Sequence, residues 1–345
     1  MTLVHVVLPG DIDDPADPSG GNAYDRRVCH GLAALGWTVR EHPVPGGWPH
    51  PEPAARAALA GLLAALPDAA LVLLDGLVAA VVPEVLAPHA RRLRLVVLVH
   101  LPAGDEAEAR SLAGAAGVIA TSEWTRRRLL DRHRLPAGRV RVAAPGADPA
   151  PVAPGSPAGT RLLCVAAVTP LKGHDVLAAA LATLADLPWT CDCVGPLSRD
   201  PGFVERLCRQ LADTGLADRV RLPGPWAGAA RDAAYAAADL LVLPSRRETY
   251  GMVVTEALAR GVPVLGSDTG GLPEALGHTP DGHRPGLLVP ADDPAALAGA
   301  LRRWLTDPTL RDRLRRAARR RRDTLTGWTV TVDRLAAALK EAASA

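Results

Sequence analysis

Short apolar runs alternate with amphipathic stretches along nearly the whole chain, and that rhythm sets the expected fold. From residue 3 to 143 the runs LVHVVLP, TVREH, ALVLLD, LVVLVH, GVIAT and RVRVAA have the length and β-branched character of strands. Helical patterns are expected between them, near 22–36, 54–66, 78–89, 105–114 and 122–133. The rhythm restarts with RLLCVAAV, a loop holding Lys172 and a helix from about 174 to 185. WTCDCVG, a helix at 201–214, RVRLPG, a helix at 229–237, LLVLP, PVLGSD and GLLVP follow. This alternation predicts an α/β fold of two Rossmann-like, doubly wound domains facing a cleft. The expected domains are 1–148 and 160–326, joined by a Pro-, Gly- and Ala-dense linker at 149–159. A last helix, 327–345, is expected to pack back on the first domain.

Composition narrows the class. The 345 residues are 48% hydrophobic and 22% charged, with a net charge of +2, which excludes a general nucleic-acid binder. Of 39 basic residues only Lys172 and Lys340 are lysines. Where arginine is so strongly the default, a lysine in a loop points to a need for a compact ammonium. The five cysteines show neither metal-type spacing nor a disulfide framework, and the chain opens directly into a strand, so a cytoplasmic protein is expected. The longest apolar stretch, LVLLDGLVAAVV, is too short and too broken by Asp75 and Gly76 to span a bilayer.

The chemistry concentrates in PSRRETYGMVVTEALARGVPVLGSDTGGLPE, residues 244–274. Glu248 lies on a loop, a helix is expected to start at Gly251 and end at Gly261, and Glu256 falls about 7 Å along its axis. The free N–H groups of the first turn make an anion site flanked by two hydrogen-bond acceptors. A nucleotide sugar, with hexose, diphosphate and ribose in line, fits that order. Spacing alone favours an ordinary strand, turn and helix with two solvated glutamates, and it is the following strand PVLGSD and Gly-rich loop TGGLPE that support a site. Asp11 and Asp13 match a D-x-D metal pattern, but Asp14 and Asp17 nearby suit a solvated loop, and no metal is expected. The arginine-dense LRRAARRRRD near the C-terminus reads as a solvated helix face or as a patch for an anionic lipid.

These residues resemble the retaining GT-B glycosyltransferases of family 4, which carry an E-x7-E motif. The resemblance runs through PS-x-x-E-x-x-G-x-x-x-x-E-A-x-A-x-G-x-P-V (244–264), Gly270, Gly271, Glu274, Lys172-Gly173 and AADLLVLPS. In the first half it rests on Gly20-Gly21 as a glycine loop, on His100, on VIATSEWTRRRL and on PGAD at 145–148. It implies a hexosyltransferase that moves a sugar from a nucleoside diphosphate to a hydroxyl acceptor. The first domain would then bind the acceptor and the second the donor. Glu256 would hold the ribose, Glu248 the donor sugar, and Lys172 the diphosphate, with backbone N–H groups near Gly251, Met252 and Val253. Gly20, Gly21 and Gly195 would also line the donor, and Gly195 and Trp226 would mark the base-binding loops. His100 would bond the sugar near the reacting carbon. Asn22, Tyr24 and Asp75 are acceptor-side candidates.

Retention implies a same-face reaction in which a leaving-group oxygen takes the acceptor's proton, with no protein nucleophile and no cofactor. One departure bears on donor binding. The arginine usual five residues before the lysine is Ala167 here, with Arg246, Arg247 or His174 as candidate replacements. The alternatives are a phosphorylase or epimerase on the same fold, or a non-catalytic nucleotide-sugar-binding protein.

Overall fold

The computed structural model describes residues 2–344, so the outermost expected bounds, 1 and 345, lie outside it. The chain divides into two compact units. The first comprises the chain up to Asp14, Gly20–Gly146 and Gly327 onward; the second comprises Pro15–Ser19 and Ala147–Thr326.

The first unit is built on strands β1 (Leu3–Pro9), β2 (Thr38–Val44), β3 (Leu71–Asp75), β4 (Arg94–Val99), β5 (Gly117–Ala120) and β6 (Val140–Val142). All pair in parallel, in the order β2-β1-β3-β4-β5-β6. The central strands are buried on both faces, which is why they read as unbroken apolar runs. The helices are α1 (Gly20–Ala34), α2 (Pro53–Ala65), α3 (Gly76–Ala79), α4 (Pro83–Leu86), α5 (Glu106–Ala113) and α6 (Glu123–His133). The single helix expected at 78–89 is therefore broken. Pro83 disfavours helical backbone at Val82, which sits at φ −133° and ψ 47°, so the chain restarts there.

The second unit has strands β7 (Arg161–Val165), β8 (Thr190–Val194), β9 (Val220–Gly224), β10 (Leu240–Leu243), β11 (Val264–Ser267) and β12 (Gly286–Val289). They form a second parallel sheet, ordered β12-β11-β10-β7-β8-β9. Helices α7 (His174–Ala182), α8 (Pro201–Asp213), α9 (Gly228–Ala237), α10 (Met252–Ala259), α11 (Leu272–Leu276), α12 (Pro294–Thr306) and α13 (Pro308–Arg322) accompany it. The final helix, α14 (Trp328–Ser344), belongs to the first unit, against α1, β4 and β5. Gly31 lets it approach: a Cβ there would stand 2.3 Å from Val332. Among the described residues no helix is long and apolar enough to cross a membrane.

Residues 149–159 are not a free tether. Ser156 donates its backbone N–H and its hydroxyl to Asp239, and Arg315 donates to Ser156 O. The arginine-dense helix α13 is divided: Arg316, Arg319 and Arg320 are exposed, as on a solvated face, whereas other arginines of the helix are committed within the unit. Arg311 donates to the carbonyls of Trp304 and Leu305 at the end of α12, and Arg322 to Ala259 and Ala150. Arg321 donates to Leu276 O. These side chains hold helix ends together within the unit.

Trp304, fully buried in the core of the second unit, donates its indole N–H to Gly159 O at 2.7 Å. Trp304→Ala removes both the packing and the bond, and is expected to lower the unfolding free energy of this unit by about 3–5 kcal/mol in urea denaturation.

Candidate functional site

Ligands of open parallel sheets bind beyond the carboxyl ends of the strands, where the strand order reverses. In the second sheet the reversal lies between β10 and β7, with β8 next in line. The loops leaving these three strands carry Glu248, Lys172 and Gly195.

Backbone packing fixes the loops. Lys172 ends a 3-10 turn, Pro170–Lys172, and Gly173 follows at φ 70°, where a Cβ would stand 2.1 Å from Pro244 O. No other residue fits that position, so the turn after β7 lies directly on the exit of β10. From the other side Gly271 donates its N–H to Glu248 O at 2.9 Å, and a Cβ on Gly270, at φ 60°, would fall 1.6 Å from the same carbonyl. Clamped in this way, the buried Glu248 accepts a hydrogen bond from Lys172 Nζ on Oε2 at 2.7 Å. The structure thus brings the lysine and the first glutamate together.

The helix after this loop begins one residue later than expected and ends at Ala259. Gly251 is its N-cap at φ 91°, with no side chain to satisfy the first-turn N–H groups and no acid in that turn. Met252 and Val253 open the helix, so the positive end of its dipole carries no anion of its own. One turn on, Glu256 accepts the Tyr235 hydroxyl on Oε2 at 2.9 Å, with Arg231 at 4.0 Å from Oε1. Burial, and then the Glu256 charge, hold Tyr235 as a neutral phenol, which keeps it a donor. Gly195 is pressed against the β7 exit: a Cβ would stand 2.0 Å from Ala166 O.

Of the candidate replacements for the arginine absent at Ala167, Arg246 is committed elsewhere and His174 is buried. Arg246 donates to both oxygens of Asp175 at 2.8 Å, to Asp292 at 2.9 Å and to Pro170 O at 2.6 Å. The His174 ring is buried, with Nε2 3.6 Å from Cys164 Sγ. Arg247 follows Arg246 on the same loop and is half-buried.

In the first sheet the order reverses between β1 and β3. Gly20 and Gly21 are not a loop there, since they form the first two residues of α1, with the half-buried Asn22 behind them. Tyr24 is buried, donates its hydroxyl to Ala143 O at 2.7 Å and sets its ring edge-on to His100 and Trp328. Its position offers no direct contact with an acceptor. Asp75 is also buried; it ends β3 and accepts the Leu77 N–H at 2.6 Å. His100, just past β4, has Nε2 2.7 Å from Oδ1 of Asp25, a buried residue that sequence reasoning missed. Asp13 of the D-x-D stretch is bonded through both oxygens to Arg26.

Burial pushes Asp75 up to about 8, with Asp25 adding to the effect. Burial alone would lower His100, but Asp25, and more weakly Asp75, hold it up at about 9. Each raised group contributes stability that is complete below its unfolded value, 3.8 for Asp75 and 6.5 for His100, and is lost as pH rises through the folded value. The melting temperature is therefore expected to fall between pH 6.5 and 9.5, and to fall less in Asp75→Asn, read by circular dichroism. A second variant tests the clamp: Gly270→Ala is expected to lower the melting temperature by on the order of 5–10 °C.

The family model described as Glycosyl transferases group 1 matches residues 156–321. The D-inositol 3-phosphate glycosyltransferase of Nocardiopsis dassonvillei is 36% identical over 239 residues, 63% of this chain and 54% of that protein. The chain spans little more than half the length of such curated relatives. Two solved structures superpose on nearly the whole chain. A sucrose-phosphate synthase of Thermosynechococcus elongatus has a TM-score of 0.76 and 24% identity, covering 98% of both chains. The Anabaena protein HepE in complex with UDP-glucose has a TM-score of 0.76 and 18% identity, covering 99% of this chain and 100% of its own. The chain thus shares the fold of these structures, and within its second unit residues 156–321 match the model described as Glycosyl transferases group 1.

Proposed function

We propose that this protein is a retaining glycosyltransferase of family 4, acting in the cytoplasm, which moves a hexosyl group from a nucleoside diphosphate sugar to a hydroxyl acceptor. The observation that carries the reading is the Lys172–Glu248 pair at the strand-order reversal, beside a helix start with no anion of its own. A diphosphate brings negative charge to a helix start that has none of its own. Lys172 and the first-turn N–H groups of Met252 and Val253 meet it, Glu248 accepts from sugar hydroxyls, and Glu256 of the E-x7-E pattern accepts from ribose hydroxyls. His100 is kept in this reading as a hydrogen-bond donor to the transferred sugar.

Glycosyl transfer passes through an oxocarbenium-like state, so catalysis lies in stabilising the departing diphosphate and orienting the acceptor. In the retaining course a diphosphate oxygen takes the acceptor's proton as the diphosphate leaves and the acceptor oxygen bonds to the same face of the sugar. No metal or cofactor is assigned. Loss of activity with EDTA and its return with manganese would contradict that. The relatives' name and the UDP-glucose bound to the Anabaena protein make UDP-sugars the first donors to test, and a cyclitol phosphate one of the first acceptors.

A second reading, a non-catalytic nucleotide-sugar-binding protein, is favoured by Ala167 and by the commitment of Arg246 to Asp175 and Asp292. Nucleoside diphosphate release from a donor panel separates the two. Turnover is expected, with Lys172→Ala and Glu248→Ala each lowering it by on the order of 10²–10³. Donor binding without release would support the second reading. In calorimetry Glu256→Ala is expected to weaken nucleotide binding about tenfold, a loss of about 1.4 kcal/mol; unchanged affinity would remove the ribose assignment.

A further inference from the structure

Asp25, Asp75 and His100 bring two carboxylates and an imidazole together at the strand-order reversal of the first sheet, with one ligand atom from each within 4.8 Å of the others. Both aspartates are almost fully buried, at 2% and 4% exposure, while the His100 side chain is about a fifth exposed. Two negative charges so placed need compensation. The cavity around the carboxylates is lined by Val6, Leu8, Val28, Leu73 and Leu98 and has no room for a water molecule. A hard divalent cation takes six or more oxygen ligands, which three protein atoms and a dry cavity do not provide. A proton needs no such space.

The hydrogen bonds show where that proton is wanted. Oδ1 of Asp25 meets His100 Nε2, while its buried Oδ2 has no hydrogen-bond partner. Oδ1 of Asp75 accepts the Leu77 N–H, which leaves Oδ2 of Asp75 to carry a proton. We propose that Asp75 is a neutral acid donating to Asp25, and that Asp25, oriented by it, keeps the His100 ring doubly protonated. Nε2–H then donates to Asp25, and Nδ1 carries a second proton available to a ligand. Asp25 is thus a positioning residue, a third group behind the histidine. The groups facing the ring are Asp25 and Tyr24 from α1 and Asp75 from the end of β3, and burial holds Tyr24 neutral. The values of about 8 for Asp75 and about 9 for His100 agree with this assignment. Its catalytic consequence, a cationic donor to the sugar, rests on the reading of His100 above; the protonation itself does not.

Asparagine separates the two aspartates, because it copies a neutral acid that donates a hydrogen bond but not a carboxylate. The test is two-bond proton–nitrogen correlation NMR on protein labelled with 15N-histidine, with the His100 signal assigned by its loss in His100→Gln. The wild-type ring is expected to be doubly protonated at pH 7.5 and to stay so in Asp75→Asn. In Asp25→Asn it is expected to be neutral at that pH, with thermal unfolding reporting that the variant is folded. A neutral wild-type ring at pH 7.5 would overturn the proposal, as would Asp75→Asn and Asp25→Asn behaving alike. Should Asp25→Asn fail to fold, the wild-type titration and Asp75→Asn still decide. Kinetically, Asp25→Asn is expected to lower kcat with little change in the donor's KM. If the protein turned over no nucleotide sugar, the proposed function would fail while the NMR result stood.

Discussion

The second unit depends on a backbone contact too close for any side chain. Pro244–Gly251 is gripped by Gly173 on one side and by Gly270 and Gly271 on the other, at distances where a Cβ would overlap a carbonyl oxygen. Three segments from three strand ends thereby become one rigid corner. Lys172 reaches Glu248 across the seam, and the helix that follows starts with its N–H groups free of any side-chain cap. Preorganised charge of this kind stabilises a developing anion without reorganising when the anion forms.

The abundance of arginine acquires a structural meaning beside that corner. Arg92 donates to carbonyls near the end of α2, Arg139 to those near the end of α5, and Arg219 to a cluster at 185–189, as Arg311 and Arg322 do elsewhere. A planar guanidinium with five donors suits several fixed acceptors at once, and a compact ammonium suits a single anion in a loop. The same preference explains Arg246, which lies in the right loop yet is bound to four acceptors across the Asp175 and Asp292 carboxylates and Pro170. Charge near the site was readable from the sequence; its commitment was not.

Both sheets were legible, because buried parallel strands leave continuous apolar runs and the helices between them keep their period. Lys172 and Glu248 were each singled out, the first as a scarce residue type and the second through the family motif, while their pairing appears only in three dimensions. Features that arise only in three dimensions were hidden. Asp25 sits in an amphipathic helix pattern where an acid reads as solvated, and only the sheet reveals that it lies under His100. Tyr235 reaches Glu256 from a helix 21 residues earlier, with no local signal. Tyr24 was an acceptor-side candidate, but its ring is inside the first unit against Trp328 of α14. The break at Val82 was readable, since Pro83 stands in the sequence, and the apolar periodicity around it masked the signal.

The account's central claim is that the corner made by Lys172, Glu248 and the start of α10 is an anion site for a diphosphate. A crystal structure of the protein with a nucleoside diphosphate bound tests it most directly. The account predicts phosphate oxygens within hydrogen-bond distance of Lys172 Nζ and of the backbone N–H groups of Met252 and Val253, with the ribose at Glu256. A diphosphate bound elsewhere, with the Lys172–Glu248 pair undisturbed and the first turn of α10 facing solvent, would contradict it.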